Sequence, residues 1–147
     1  MKTLCHYFKI VFFIMFTASS VPALSHNIIF QNEHTKHTYT AEIAKTPAQR
    51  KKGLMFRTSI PPRHAMVFVY NPPQQVSMWM KNTFIPLDII FVDENHVITH
   101  IHHNAIPEDL TPITSSKKVV YVIEINAYEA EKYGIAIGDR VGFLAKE

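Results

Sequence analysis

The spacing of apolar and polar residues predicts strands over most of this chain. From His37 to Lys45, Tyr39, Ala41 and Ile43 fall on one face, while Thr38, Thr40 and Glu42 fall on the other. A period of two is the signature of a half-buried strand. Asn27–Gln31 predicts a short strand before it, Ala65–Tyr70 a buried strand after it, and Gln75–Met80 another. Pro72-Pro73 predicts a turn between the last two. Leu87–Asp93 and Val97–His103 flank Glu94-Asn95-His96 and predict a hairpin. Thr111–Ser116 reads as a polar loop. Val119–Ile125 and Arg140–Leu144 complete the set, the last entered through Gly138-Asp139.

Two short helices interrupt this pattern. Thr46-Pro47-Ala48-Gln49 offers a capping hydroxyl, a proline suited to the first helical position, and a glutamine able to close a capping box. Gly53 then supplies a stop. Asn126 is the expected cap of the second helix, with Glu129 three residues on and Gly134 as its end. There is no repeat and no linker. Mostly strands with brief helices predict a mainly β fold, a compact antiparallel β-barrel or sandwich with two short helices.

The first 25 residues follow a different rule. Lys2 and Lys9 precede an almost continuously apolar stretch from Ile10 to Ala18, and Ala23-Leu24-Ser25 offers small residues for cleavage. That order is the order of a secretory signal. An apolar stretch of about a dozen residues is too short for a bilayer, which needs roughly 20. The expectation is a signal peptide over 1–25 and one β-rich domain over 26–147, periplasmic or secreted, with no transmembrane segment after cleavage. Cys5, the one cysteine, would leave with the signal, so the mature domain would have no disulfide and no thiol. Lys2 and Lys9 also account for two of the three formal positive charges, because residues 1–25 contain no acid. The remaining basic clusters, Arg50-Lys51-Lys52 and Lys117-Lys118, are short, which gives nucleic-acid binding no support.

Several motifs together resemble a known prokaryotic family. Gln49-Arg50-Lys51-Lys52-Gly53-Leu54-Met55-Phe56-Arg57 is similar to its first signature, and Ala65-Met66-Val67-Phe68 to its second. Trp79-Met80-Lys81-Asn82-Thr83-Phe84-Ile85-Pro86-Leu87-Asp88-Ile89-Ile90-Phe91 resembles its central motif. Val122-Ile123-Glu124-Ile125 and Gly138-Asp139-Arg140-Val141 resemble the C-terminal ones. The family is the domain of unknown function number 192. The resemblance implies a compact β-rich fold and supplies no activity, cofactor or catalytic residue. Ala65 stands where the family often has glycine, and Pro107-Glu108 where a cysteine often follows the proline. Ala127-Tyr128 stands near another frequent glycine.

Candidate chemistry concentrates in the central motif. Trp79, Lys81, Asn82, Thr83 and Asp88 place an aromatic plate, an ammonium, an amide, a hydroxyl and a carboxylate within ten residues. A loop of this kind can present convergent polar groups beside an apolar wall. Equally, Asn82 and Thr83 can satisfy turn backbone. Asp88, on the face of Ile90 and Val92, would then need a partner, with Lys81 or Arg57 the obvious choices. Glu124 lies mid-strand and is either solvent-facing or a second carboxylate beside Asp88, which would make an acid–base pair conceivable. His100 and His102 share a strand face and could begin a metal site, with His103 and His96 nearby. Met78 and Met80 could offer thioethers to copper(I), although methionines flanking a tryptophan are usually core.

The expected function is an exported binding or accessory domain of the cell envelope. A small molecule or an envelope protein would contact Trp79, Lys81, Asn82, Asp88, Glu124 and Arg57. The alternatives are an acid–base enzyme on Asp88 and Glu124, or a metal-binding protein on His100 and His102. An enzyme is less favoured than a binding or accessory role, and no cofactor is assigned.

Overall fold

The computed structural model describes residues 26–144. The expected signal segment, 1–25, lies outside them. The strands are β1 (His26–Gln31), β2 (Lys36–Ala44), β3 (His64–Gln74), β4 (Ser77–Met78), β5 (Leu87–Val92), β6 (Ile98–Ala105), β7 (Ile113–Thr114), β8 (Val119–Asn126) and β9 (Arg140–Leu144). The helices are α1 (Pro47–Lys52) and α2 (Glu129–Lys132).

Seven strands form one sheet in the order β6-β5-β8-β3-β2-β1-β9, and β4 and β7 form a separate small ladder. The sheet curls into a half-barrel, and its two edges touch where Val97 bridges Arg140. The mainly β class with two short helices is as the sequence predicts. One pairing departs from a purely antiparallel sheet: β2 and β3 run parallel, because α1 and the loop after it carry the chain back before β3 begins.

Each face of the sheet has its own core. One face gathers Ile28, Phe30, Tyr39, Ala41, Ala65, Val67, Ile90, Val92, Ile98, Ile101, Ile123, Ile125 and Val141, drawn from all seven strands. The other face is apolar over β3, β5 and β8, through Met66, Phe68, Leu87, Ile89, Phe91 and Val122. It is covered by Leu54 and Ile60 from the α1–β3 segment and by Val76, Met80 and Ile85 from the β4 region. Strands buried on both faces read as continuous apolar runs, as in Leu87–Val92, where every residue is buried.

Local chemistry formed α1 as expected. The Thr46 hydroxyl accepts the Gln49 N–H, and Gln49 Oε1 accepts the Thr46 N–H at 2.9 Å. Three expectations need correction. The chain does not turn at Pro72-Pro73: β3 continues to Gln74 through a cis Asn71–Pro72 bond, with a register shift between Val69 and Gln74. Gln75–Met80 reduces to the two residues of β4. Asn126 does not cap α2, because Tyr128 occupies the cap position with φ of 68° and its side chain makes no capping bond. The Asn126 amide donates instead to the Ile60 and Pro61 carbonyls.

Candidate functional site

The register of β5 against β8 decides how the two buried carboxylates relate. Ile89 pairs with Glu124, and Asp88 pairs with Ile125. Adjacent residues on a strand point to opposite faces. Asp88 therefore shares the face of Ile90 and Val92, while Glu124 shares that of Met66 and Val122. The two do not converge, and the acid–base pair on Asp88 and Glu124 is not formed.

Asp88 is fully buried and already has its partners. Its Oδ1 accepts the Asn104 N–H at 2.9 Å, and its Oδ2 accepts the Ala130 N–H at 3.0 Å. His103 Nδ1 is 3.9 Å from Oδ1. Ala130 lies in the first turn of α2, whose cap residue supplies no side chain, so Asp88 caps that helix from across the fold. The expected partners, Lys81 and Arg57, are elsewhere. Lys81 Nζ lies over the Trp79 ring at 5.5 Å from its centre. Arg57 makes a two-pronged pair with Glu42, at 2.6 and 2.7 Å, and His64 Nε2 is 3.1 Å from the same carboxylate. The Arg57 hydrogen bonds hold Glu42 down at about 2 against the opposing cost of burial, with His64 adding to the effect.

Asn82 also has a structural role. With φ of 54° it turns the chain, its carbonyl accepts the Phe56 N–H at 2.8 Å, and its amide reaches Met55 Sδ at 4.0 Å. It ties the central motif to the α1–β3 segment.

Glu124 is different. It is 5% exposed, has no hydrogen-bond or ion-pair partner among the described residues, and lines a cavity of about 240 Å³. Burial alone pushes its carboxyl up to about 8. Tyr70, Met78, Trp79 and Phe68 form the apolar part of the lining, and Arg50, Lys51 and Lys52 from α1 bring positive charge. The Arg50 guanidinium sits 5.0 Å above the Tyr70 ring and donates to the Val69 carbonyl at 3.0 Å. The Tyr70 hydroxyl points to Met78 Sδ at 3.7 Å. Burial, opposed by Arg50 and assisted by Glu124, raises the Tyr70 phenol. Gly53 lets the end of α1 descend on this cavity: a Cβ there would lie 3.0 Å from Phe68 Cζ, and its φ of 42° also favours glycine.

The structure thus joins Trp79 and Glu124 in one cavity and leaves Lys81, Asn82, Asp88 and Arg57 outside its lining. Sequence reasoning missed Arg50, Lys52, Met55 and Tyr70. The signal available was that Arg50 to Met55 lies in the same signature as Arg57.

His100 and His102 do share a face, as expected, and line a second cavity with His103, Asp109 and Thr111. Burial and the neighbouring His100 and His103 lower the His102 imidazole. Among the described residues, no group of three or more histidine, cysteine, aspartate or glutamate side chains is arranged to hold a metal. Met80 is buried in the core, and half-buried Met78 packs against it.

Comparison with known proteins places this architecture. The model of a family described as "Uncharacterized ACR", domain of unknown function 192, matches residues 28–143. The chain belongs to domain-of-unknown-function family 192. The match takes in every element from β2 to α2 and nearly all of β1 and β9, so Glu124, Trp79 and the α1 cations all lie inside the family domain. A crystal structure of a protein of unknown function from Novosphingobium aromaticivorans DSM 12444 is 40% identical, with a TM-score of 0.77, over 79% of this chain and 83% of that one. A protein of Sinorhizobium meliloti 1021, described as a candidate transcription regulator, is 36% identical with a TM-score of 0.81, over 84% of this chain and 97% of that one. No curated protein matches.

Proposed function

We propose that this domain is a small-molecule binding module, exported to the cell envelope, whose ligand enters the cavity between α1 and β4 and meets Glu124 at its wall. One observation carries the reading. Glu124 stands in the middle of a central strand, 5% exposed and with no hydrogen-bond or ion-pair partner among the described residues, and burying an unpaired carboxyl costs stability. Such a group at a cavity is a site candidate on physical grounds. Trp79, half exposed at the same cavity, gives an apolar wall beside it. Export rests on the basic, apolar and small-residue order of 1–25.

The test is ligand-linked stability. Fractions of a small-molecule extract are added to the purified domain and to Glu124→Leu and Trp79→Ala variants. A fraction that raises the melting temperature of the wild type and of neither variant supports the reading. Equal shifts in all three proteins would defeat it.

A second reading has its own observation. Phe56, Trp79, Phe84, Ile106 and Leu110 are all strongly exposed. They sit on three loops joined by the bonds Phe56 N–H to Asn82 O, Met80 N–H to Asp109 O, and Glu108 N–H to Thr83 O. An apolar group of this size at one end of a domain favours a protein partner. Pull-down with a Phe56→Ser/Phe84→Ser variant tests it, and undiminished capture would remove it.

A further inference from the structure

The cavity around Glu124 also constrains the chemistry of its occupant. We infer that it takes a small organic anion with an apolar body, whose anionic oxygen accepts a hydrogen bond from the Glu124 side chain. This rests on the reading of the cavity as a ligand site.

The charged groups around the cavity set the sign. Arg50, Lys51 and Lys52 line it from α1, and Glu124 is its one acidic lining residue. From β3, Tyr70 and Phe68 face it; from the β4 region come Ser77, Met78, Trp79 and Thr83. On β5 the residue opposite Glu124 is Ile89, which carries no charge. The next acid along the row is Glu42, beyond Met66, and it is already engaged by Arg57 and His64. Burial keeps the Glu124 carboxyl protonated up to about 8. Arg50, Lys51 and Lys52 thus give the lining a positive balance, and Glu124 gives it a carboxyl able to donate. A protonated carboxyl facing an anionic oxygen makes a short, charge-assisted O–H···O⁻ bond. The Trp79, Met78 and Phe68 side chains meet the apolar remainder.

An ammonium ligand is the competing chemistry. It would need Glu124 to ionise against the cost of burial, and its own charge would be repelled by the lysine and arginine side chains of the lining. The two cases depend oppositely on pH. Anion binding weakens as pH rises past the Glu124 midpoint, because the carboxylate then loses its donor and repels the ligand. Ammonium binding strengthens over the same range. Tyr70 does not interfere, since burial moves its phenol upward, away from this range.

Trp79 is the sole tryptophan of the chain, so its fluorescence reports occupancy of this cavity directly. Phenylacetate and phenethylamine share a ring and differ in charge, and they serve as the probes. Each is titrated into the domain at about pH 6.5 and about pH 9, on either side of the Glu124 midpoint. Phenylacetate is expected to bind at least about tenfold more tightly than phenethylamine at the lower pH, and to weaken at least about fivefold at the higher. Glu124→Gln keeps a donor without a titration, so it should retain phenylacetate binding within about threefold and lose the pH step. Glu124→Leu should lose binding, with circular dichroism confirming that both variants are folded. Tighter phenethylamine, or binding that strengthens with pH, would overturn the anion and leave the cavity a ligand site. A phenylacetate response unchanged by Glu124→Leu would mean stacking on Trp79 alone and would also overturn it. Silence from both probes would overturn the inference too, and the extract test above would then decide the cavity separately.

Discussion

Removing the Asp88 carboxylate should cost more stability than removing any other polar side chain of the central motif. Asp88→Ala leaves two backbone N–H groups without acceptors, those of Asn104 and Ala130. A hydrogen bond to a charged group contributes about 1.5–3 kcal/mol. Asn104 is exposed, so water can replace part of its bond, which belongs at the low end. Ala130 is fully buried, so its bond belongs at the high end. Together these give about 4 kcal/mol, a large share of the 5–15 kcal/mol typical of a domain. Asp88→Asn keeps one acceptor oxygen and turns an amide donor toward the other N–H, so it should cost about 2 kcal/mol. His103→Ala removes only an exposed contact at 3.9 Å and should stay within about 0.5 kcal/mol. Urea unfolding followed by circular dichroism measures all three. With a slope of about 2 kcal/mol per molar, Asp88→Ala moves the midpoint by about 2 M. Hydrogen exchange at Ala130 and Asn104 should lose protection in the same variant. A loss below about 1 kcal/mol for Asp88→Ala, or unchanged exchange at both amides, would refute the assignment of Asp88 as the cap of α2.

Other expectations follow from the same geometry. The Glu124 carboxyl is raised by burial from 4.5 to about 8. The folded state therefore holds a proton that the unfolded state has lost, so stability falls as pH rises from 4.5 to about 8 and is flat beyond. Glu124→Gln should abolish that decline, worth on the order of 5 kcal/mol, in urea titrations across the range. Glu42 is lowered to about 2, so its contribution is complete above 4.5 and is lost as pH falls toward 2. Arg57→Ala should remove this acid limb and cost about 2 kcal/mol above it, read by the same titrations. Thr46→Ala should cost about 1 kcal/mol in thermal unfolding by opening the capping box of α1. Phe56→Ser should change stability by less than about 1 kcal/mol in the same titrations, because that side chain is largely exposed.

What the sequence revealed depended on how far each feature reaches along the chain. The capping box of α1 is closed within four residues, and it was legible. The cap of α2 comes from Asp88, which lies 42 residues before Ala130, and no local pattern announces it. The strands were legible from period and apolar runs, since burial on one or both faces writes directly into sequence. The continuation of β3 past Pro72-Pro73 was not, because proline there reads as punctuation wherever the sheet does not dictate otherwise. Glu124 stood out as an acid inside an apolar strand, but its face was not readable. A shift of one residue in the β5–β8 pairing would have put it beside Asp88, and register is a property of two strands together. The basic residues of α1 join Tyr70 of β3 at the cavity through the close approach that Gly53 allows to Phe68, a packing of helix end on strand that no local pattern announces.

Native mass spectrometry of the domain, purified gently from the compartment in which it accumulates, decides whether the cavity at Glu124 holds a ligand. The wild type should carry an organic adduct with the mass of a small acid, absent from Glu124→Leu purified in parallel. A wild-type protein of bare mass, or an adduct carried equally by Glu124→Leu, would contradict a ligand site at Glu124.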